Sequence, residues 1–271
     1  MFEDEKNEVI SKKPAFNLSD LKKAYAQQSS AHMEIELCYS RNHVFIKPLK
    51  VRDKKDILKS IETKNDNLLN RTLTELIEKY VENKDGSGLN TGILTQKEKE
   101  QILVYIRLAS GEDKVKTVNI AHQCPECEKV TKDIKFDTDN ISVTNYDTTK
   151  NGVVELSTSG ISITLGPITI NEEQEIESLI KKKAIKTVSE RQIVMVAAII
   201  KSIKVATNDV DALSLEEKLG FVEGLQMSDL RLLTDYLKDY DFGIKLPFDF
   251  ECEHCGFKGR EEVNPAVFFM S

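Results

Sequence analysis

Ile120-Ala121-His122-Gln123-Cys124-Pro125-Glu126-Cys127 and Phe250-Glu251-Cys252-Glu253-His254-Cys255-Gly256 each hold a Cys-x-x-Cys pair between two strand-like runs. Two residues between cysteines let both sulfurs point at one metal from a tight turn. Pro125 stiffens the first turn, and Gly256 accepts a left-handed backbone after the second. A hairpin tip of this kind is half of a zinc ribbon. Each pair supplies two of the four tetrahedral ligands that structural zinc takes, so the spacing predicts one zinc per chain, held by Cys124, Cys127, Cys252 and Cys255. Four thiolates leave no open coordination position, which argues against a catalytic metal.

His122 and His254 allow a rival arrangement of two separate three-ligand sites. It is weaker because the His254 ring, inside its knuckle, is expected to point away from a metal held by both flanking cysteines, and neither half has an obvious fourth ligand. A redox role wants a thiolate at a helix start after a strand, whereas both pairs sit in hairpins.

Outward from the cysteines, the two halves carry the same features in the same order. Met33, Ile35 and Leu37 alternate, Arg41-Asn42 turns, and Val44 and Ile46 follow, which predicts a β-hairpin. Helices are expected after Asp53 and Asp66, a flexible loop over Asn83 to Gly92, and a Thr95/Glu98 capping box opening a helix through Ala109. A strand from Val115 then enters the first cysteine pair, and Val130 to Phe136 leaves it. In the second half, strands at Val154 to Leu156 and Ile161 to Leu165 bracket a turn at Ser159-Gly160. Capping boxes are expected at Asn171/Gln174, at Ser189/Gln192 for a helix through Ile203, and at Ser214/Glu217. A helix over Ser228 to Asp239 and a strand over Ile244 to Glu251 lead to the second pair. Pro48 to Thr95 and Pro167 to Ser214 span the same 47 positions, so the halves stay in register and an internal duplication is expected. The fold class is α+β: a flexible arm over 1–31, a first unit over 32–150, and a second over 151–271, joined at the shared zinc.

Composition narrows the function. With 271 residues, 40% hydrophobic and 31% charged, the chain can bury a sizeable core. A net charge of −7 works against nucleic-acid binding driven by bulk electrostatics. The acidic start at Met1-Phe2-Glu3-Asp4-Glu5 has no apolar run behind it, so a secretory signal is not expected and the chain reads as intracellular. Ile193 to Ile200, the longest apolar run, is far shorter than a bilayer-crossing helix, so membrane insertion is not expected. Cys38 reads as a small buried hydrophobe. Lys181, Lys182, Lys183, Lys186, Lys201 and Lys204 read as a solvated helix face. The apolar tail Asn264 to Phe269 is expected to pack on the chain's own core. No Gly-rich phosphate loop, G-x-S-x-G or H-E-x-x-H is present, so no enzymatic activity and no small-molecule substrate are expected.

The order of these features (a hairpin leaving through Pro-Leu or Pro-Ile, acidic helices, Cys-Pro-Glu-Cys, then Cys-Glu-His-Cys-Gly near a Phe-Phe ending) resembles the baseplate hub proteins of T-even-type contractile phages. The resemblance covers about Met33 to Phe269. It implies a tail-assembly role without catalysis and binding to other phage tail or baseplate proteins. It also implies a location in the host cytoplasm during assembly, either as a hub assembly factor that stays there or as a hub subunit that ends in the virion baseplate. The competing class is a zinc-ribbon nucleic-acid-binding or transcription factor, disfavoured by the net charge and by the lack of aromatic-basic interleaving near either knuckle.

Overall fold

A computed structural model describes residues 32–63, 66–111, 117–147, 152–156, 159–205, 208–210, 213–238 and 242–270. The expected arm over 1–31 and the start of the strand from Val115 lie outside the described residues. The fold is mixed α+β, with several small sheets between helices.

The first half opens with the expected hairpin of β1 (Met33–Glu36) and β2 (His43–Ile46), whose register runs from Met33 opposite Ile46 to Glu36 opposite His43. Alternation puts Ile35, Leu37, Val44 and Ile46 inside. Next comes α1 (Val51–Glu62), which buries only Asp53, Ile57 and Ser60. It is followed by α2 (Asp66–Tyr80), which passes without a loop into β3 (Val81–Asn83). β3 pairs with β2. The expected flexible loop is in fact ordered by hydrogen bonds: the Asn83 N–H donates to the Ser87 carbonyl at 2.9 Å, and Glu82 bridges Gly88. Thr95 caps α3 (Gln96–Ser110) with Glu98 as its box partner, as the sequence predicts. The knuckle strands β4 (Thr117–Gln123) and β5 (Val130–Asp137) follow, then β6 (Ser142–Thr144).

The second half runs β7 (Val153–Glu155), β8 (Ile161–Leu165), α4 (Ile170–Lys182), α5 (Val188–Ile199), β9 (Ile200–Val205) and β10 (Asn208–Val210). It continues through α6 (Leu215–Glu223), α7 (Met227–Lys238), β11 (Gly243–Lys245), β12 (Pro247–Glu251), β13 (Lys258–Glu262) and α8 (Pro265–Met270). Two expected capping boxes move. The boxes are Thr169/Glu172 and Thr187/Glu190, not Asn171/Gln174 and Ser189/Gln192. An ionised Glu accepts the cap amide more strongly than a Gln, so each helix starts two residues earlier. The helix expected to reach Ile203 ends at Ile199, and Ile200 begins β9. A run that is apolar all round carries no period to separate helix from strand. The strand expected over Ile244 to Glu251 is divided into β11 and β12.

Corresponding contacts recur at a constant offset. Ile46 pairs with Val81, and Leu165 pairs with Ile200. The Lys47 N–H donates to the Tyr80 carbonyl at 2.8 Å, and the Gly166 N–H donates to the Ile199 carbonyl at 2.8 Å. Every residue of the second set lies 119 positions after its counterpart. In both halves a helix feeds directly into a strand beside the hairpin.

Three buried clusters hold the chain together. One contains Ile46, Ile77, Val81 and Ile102 of the first half. The next contains Ile163, Val194, Ile199 and Ile200 of the second. The third mixes the halves, with Ile120 and Phe136 meeting Phe248, Phe250 and Phe268 around Cys124 and Cys252. β6 also pairs with β11 across the halves. The tail packs on the chain itself, as expected: α8 buries Phe268 and Phe269.

Asp53 is the polar tie of the first half. Its carboxylate accepts from Lys79 Nζ at 2.5 Å, from the Tyr80 hydroxyl and from the Lys50 N–H at 3.2 Å. Burial works to raise its pKa, but the hydrogen bonds from Lys79 and Tyr80, the Lys79 charge and the Lys50 amide carry it below its ordinary 3.8. A depressed folded-state pKa gives stability that is complete above the unfolded value and lost as pH falls through the folded one. Asp53→Ala is therefore expected to cost about 2 kcal/mol at neutral pH, and the gap to wild type should close as chemical unfolding is repeated below pH 3.8. A gap that does not change with pH would contradict this role.

Candidate metal centre

Each knuckle closes on the same two backbone bonds. The Cys124 N–H donates to the Lys129 carbonyl at 2.9 Å, and the Glu128 N–H donates back to the Cys124 carbonyl at 2.9 Å. In the second knuckle the Cys252 N–H donates to the Phe257 carbonyl at 2.8 Å, and the Gly256 N–H to the Cys252 carbonyl at 2.9 Å. The residue after the second cysteine is left-handed in both, with φ of 58° at Glu128 and 75° at Gly256. That conformation costs an L-residue about 1–2 kcal/mol, and Gly nothing. Glu128→Gly should thus raise stability by up to about 1 kcal/mol, and Gly256→Ala should lower it by about as much, since a methyl group at Gly256 would meet only open space. Denaturant midpoints that shift in the opposite sense would refute this assignment of strain.

The strands β4 and β5 present Cys124 and Cys127, and β12 and β13 present Cys252 and Cys255. The sulfurs pair across the knuckles: Cys124 Sγ lies 3.7 Å from Cys255 Sγ, and Cys127 Sγ lies 3.6 Å from Cys252 Sγ. All four lie within 4.8 Å of one another. A tetrahedron of thiolates about 2.3 Å from a zinc ion has edges of about 3.8 Å. The four cysteines therefore have the separation of a tetrahedral thiolate site and could hold a metal ion. Cys124 and Cys252 are buried, Cys127 is half-buried and Cys255 is exposed, so the cluster sits at the rim of the shared third core.

Protons alone suit this cluster poorly. Burial opposes ionisation of Cys252, but amide hydrogen bonds from His254 and Cys255 and the neighbouring thiols bring its pKa to about 6. At Cys255 the Phe257 amide favours the thiolate, yet burial and the bonds to Cys252, Cys127 and Cys124 push its pKa up to about 12. One sulfur gives up its proton readily and its neighbour then keeps its own. A divalent cation lifts that conflict by stabilising all four thiolates together.

The histidines sit elsewhere. His122 Nε2 faces Glu261 Oε2 at 3.6 Å, and its ring meets Phe248 and Phe250 edge-on with centroids 5.1 and 4.8 Å away. His254 Nε2 lies 3.5 Å from Glu253. Among the described residues, the only group of three or more His, Cys, Asp and Glu side chains close enough to share a metal is the four cysteines. Cys spacing named these residues; the aromatic enclosure of His122 was missed, though the alternation of Phe248 and Phe250 on β12 is its signal.

Cys38 is fully buried, and desolvation first, then the Glu98 charge, pushes its pKa up to about 12, which makes it an unreactive thiol. Lys182 and Lys183 pair with Glu216, and Lys181 with Glu177, so these lysines form a solvated, ion-paired face.

A family model described as T4 bacteriophage base plate protein matches residues 32–269. The chain belongs to this family. The matched span covers both knuckles and every element from β1 into α8, and it leaves out residues 1–31. For a base plate protein the expected role is structural. No curated protein and no solved structure matches the chain. Among the described residues, no helix is long and apolar enough to cross a membrane.

Proposed function

We propose that this protein is a non-enzymatic structural or assembly component of the central hub of the phage base plate. In this role it is a zinc-clasped adaptor that binds other tail proteins. Two related units, 32–150 and 151–271, arose by internal duplication, and one zinc ion held by Cys124, Cys127, Cys252 and Cys255 fastens them. The observation that carries the reading is the convergence of two equivalent knuckles, one from each half, on a single four-sulfur cluster in a chain of the base plate family. A site with four thiolates has no free position for substrate, so the metal serves cohesion. The constant offset between matched contacts supports the duplication. The adaptor is made in the host cytoplasm and acts in the tail base plate.

The test is capture of tail proteins from a phage-infected lysate by the tagged full chain, together with detection of the chain in purified virions. Retention of base plate proteins without DNA is the expected result. Tight DNA binding that falls steeply with salt, and no tail protein captured, would overturn the proposal.

A further inference from the structure

The contact joining the two halves is built from pieces whose counterparts recur, at least partly exposed among the described residues, at the far end of each half. At the junction, the first turn of α4 lies on the start of α3. The Ile170 N–H donates to the Leu94 carbonyl at 2.9 Å, Thr95 and Thr169 form a β-bridge, and Ile170 is buried in the cluster that holds Leu94 and Ile102. Under the 119-residue correspondence, Thr169 and Ile170 match Lys50 and Val51, while Leu94 and Thr95 match Leu213 and Ser214. Leu213 is half-buried against the second core, and Ser214 is exposed. Val51, the equivalent of the buried Ile170, is 78% exposed. Beside Leu213 and Ser214 lies an open cavity of about 330 Å³, lined also by Glu172, Glu175, Leu215 and Lys218.

We infer that copies of this chain associate head to tail, with the Lys50–Val51 turn of one copy seated against Leu213–Ser214 of the next. The contact that joins the halves within one molecule is thereby repeated between molecules. This rests on the reading of the chain as two related units. The two surfaces are different, so the interface is heterologous and builds a ring or a filament rather than a closed twofold dimer.

Charge supports the same occupant. The first turns of α1 expose Lys50, Arg52, Lys54 and Lys55, none of which has an ion-pair partner among the described residues. The receiving side offers Glu175 in the cavity, while Glu216 beside it is already paired with Lys182 and Lys183 and Glu217 caps Ser214. One equivalent pair is unfavourable: Lys54 stands where Glu173 does, and Lys218 where Lys99 does. Glu175 shares the cavity with Lys218 and offsets that repulsion. Val51 decides between partner classes, since an exposed aliphatic matched to a buried one calls for an apolar seat and not for a phosphate backbone.

Sedimentation of the full chain, up to about 100 μM where weak interfaces are populated, tests the inference. Wild type should form species larger than dimers as concentration rises, and less so at high salt. Val51→Asp and Leu213→Asp should each be monomeric, with Glu175→Arg standing in should Leu213→Asp fail to fold. Mixing the Val51→Asp and acceptor variants should restore a dimer and nothing larger, because each keeps one intact surface. A wild type that stays monomeric, single variants that associate like wild type, or a mixture that stays monomeric would each overturn the association. The two-unit reading has a separate readout in hydrogen exchange: matched slow exchange at the Lys47 and Gly166 amides in a monomeric wild type would sink the association alone, whereas unequal protection would sink the units as well.

Discussion

Cys124→Ser is expected to release the metal and to lower the stability of both halves together. Structural zinc contributes about 10–16 kcal/mol of binding free energy in small peptides, and here two packed cores remain without it, so the expected loss is smaller, at about 5 kcal/mol. For a chain of this size that corresponds to a fall of more than about 10 °C in the thermal midpoint. The effect should reach both halves because the cluster lies against a core that Ile120 and Phe136 share with Phe248 and Phe250. Cys255→Ser should behave alike, since Cys255 Sγ lies 3.7 Å from Cys124 Sγ within the same cluster. His254→Ala should keep the metal, because that ring is turned to Glu253. Hydrogen exchange on the Cys124→Ser chain gives the decisive readout. Loss of protection confined to β4 and β5 would show that the site does not fasten the halves.

Phe268→Ala is the second large effect. The ring is fully buried in the third core, where it meets Phe136 edge-on at 5.4 Å between centroids and lies under the Arg107 guanidinium at 4.8 Å. Removing a buried phenyl group costs about 3–5 kcal/mol, and the lost cation–π contact adds up to about 1 kcal/mol. α8 comes from the end of the sequence, yet Phe268 packs on residues of α3 and β5. A substitution three positions from the last residue should therefore loosen the first half as strongly as the second. Urea unfolding should show a lower midpoint with an unchanged slope. A cost below about 1 kcal/mol would mean that the tail does not anchor the core.

The parts of this fold that were legible in the sequence are those with a local chemical signature. Thr95 with Glu98 and Ser214 with Glu217 mark helix starts because the side chains that satisfy the orphan amides are written next to them. The cysteine spacing named the metal-site candidates for the same reason. Strands β3 and β9 were not legible, since Tyr80 passes into Val81 and Ile199 into Ile200 without a Gly, Pro or Asn to mark the change. What makes those residues strands is the neighbouring hairpin, a tertiary partner that local periodicity cannot see. The crossed pairing of Cys124 with Cys255 and Cys127 with Cys252 is likewise a product of how β4–β5 and β12–β13 meet over the shared aromatic core. The packing of His122 between Phe248 and Phe250 has the same origin, and it removes that ring from the ligand set.

Metal analysis of the purified full chain, joined with X-ray absorption at the zinc edge, tests the central claim most directly. One zinc per chain in a shell of four sulfurs at about 2.3 Å is the expected result. Two zinc ions per chain, a nitrogen ligand in the shell, or a folded chain with no metal would contradict a single clasp shared by the two knuckles.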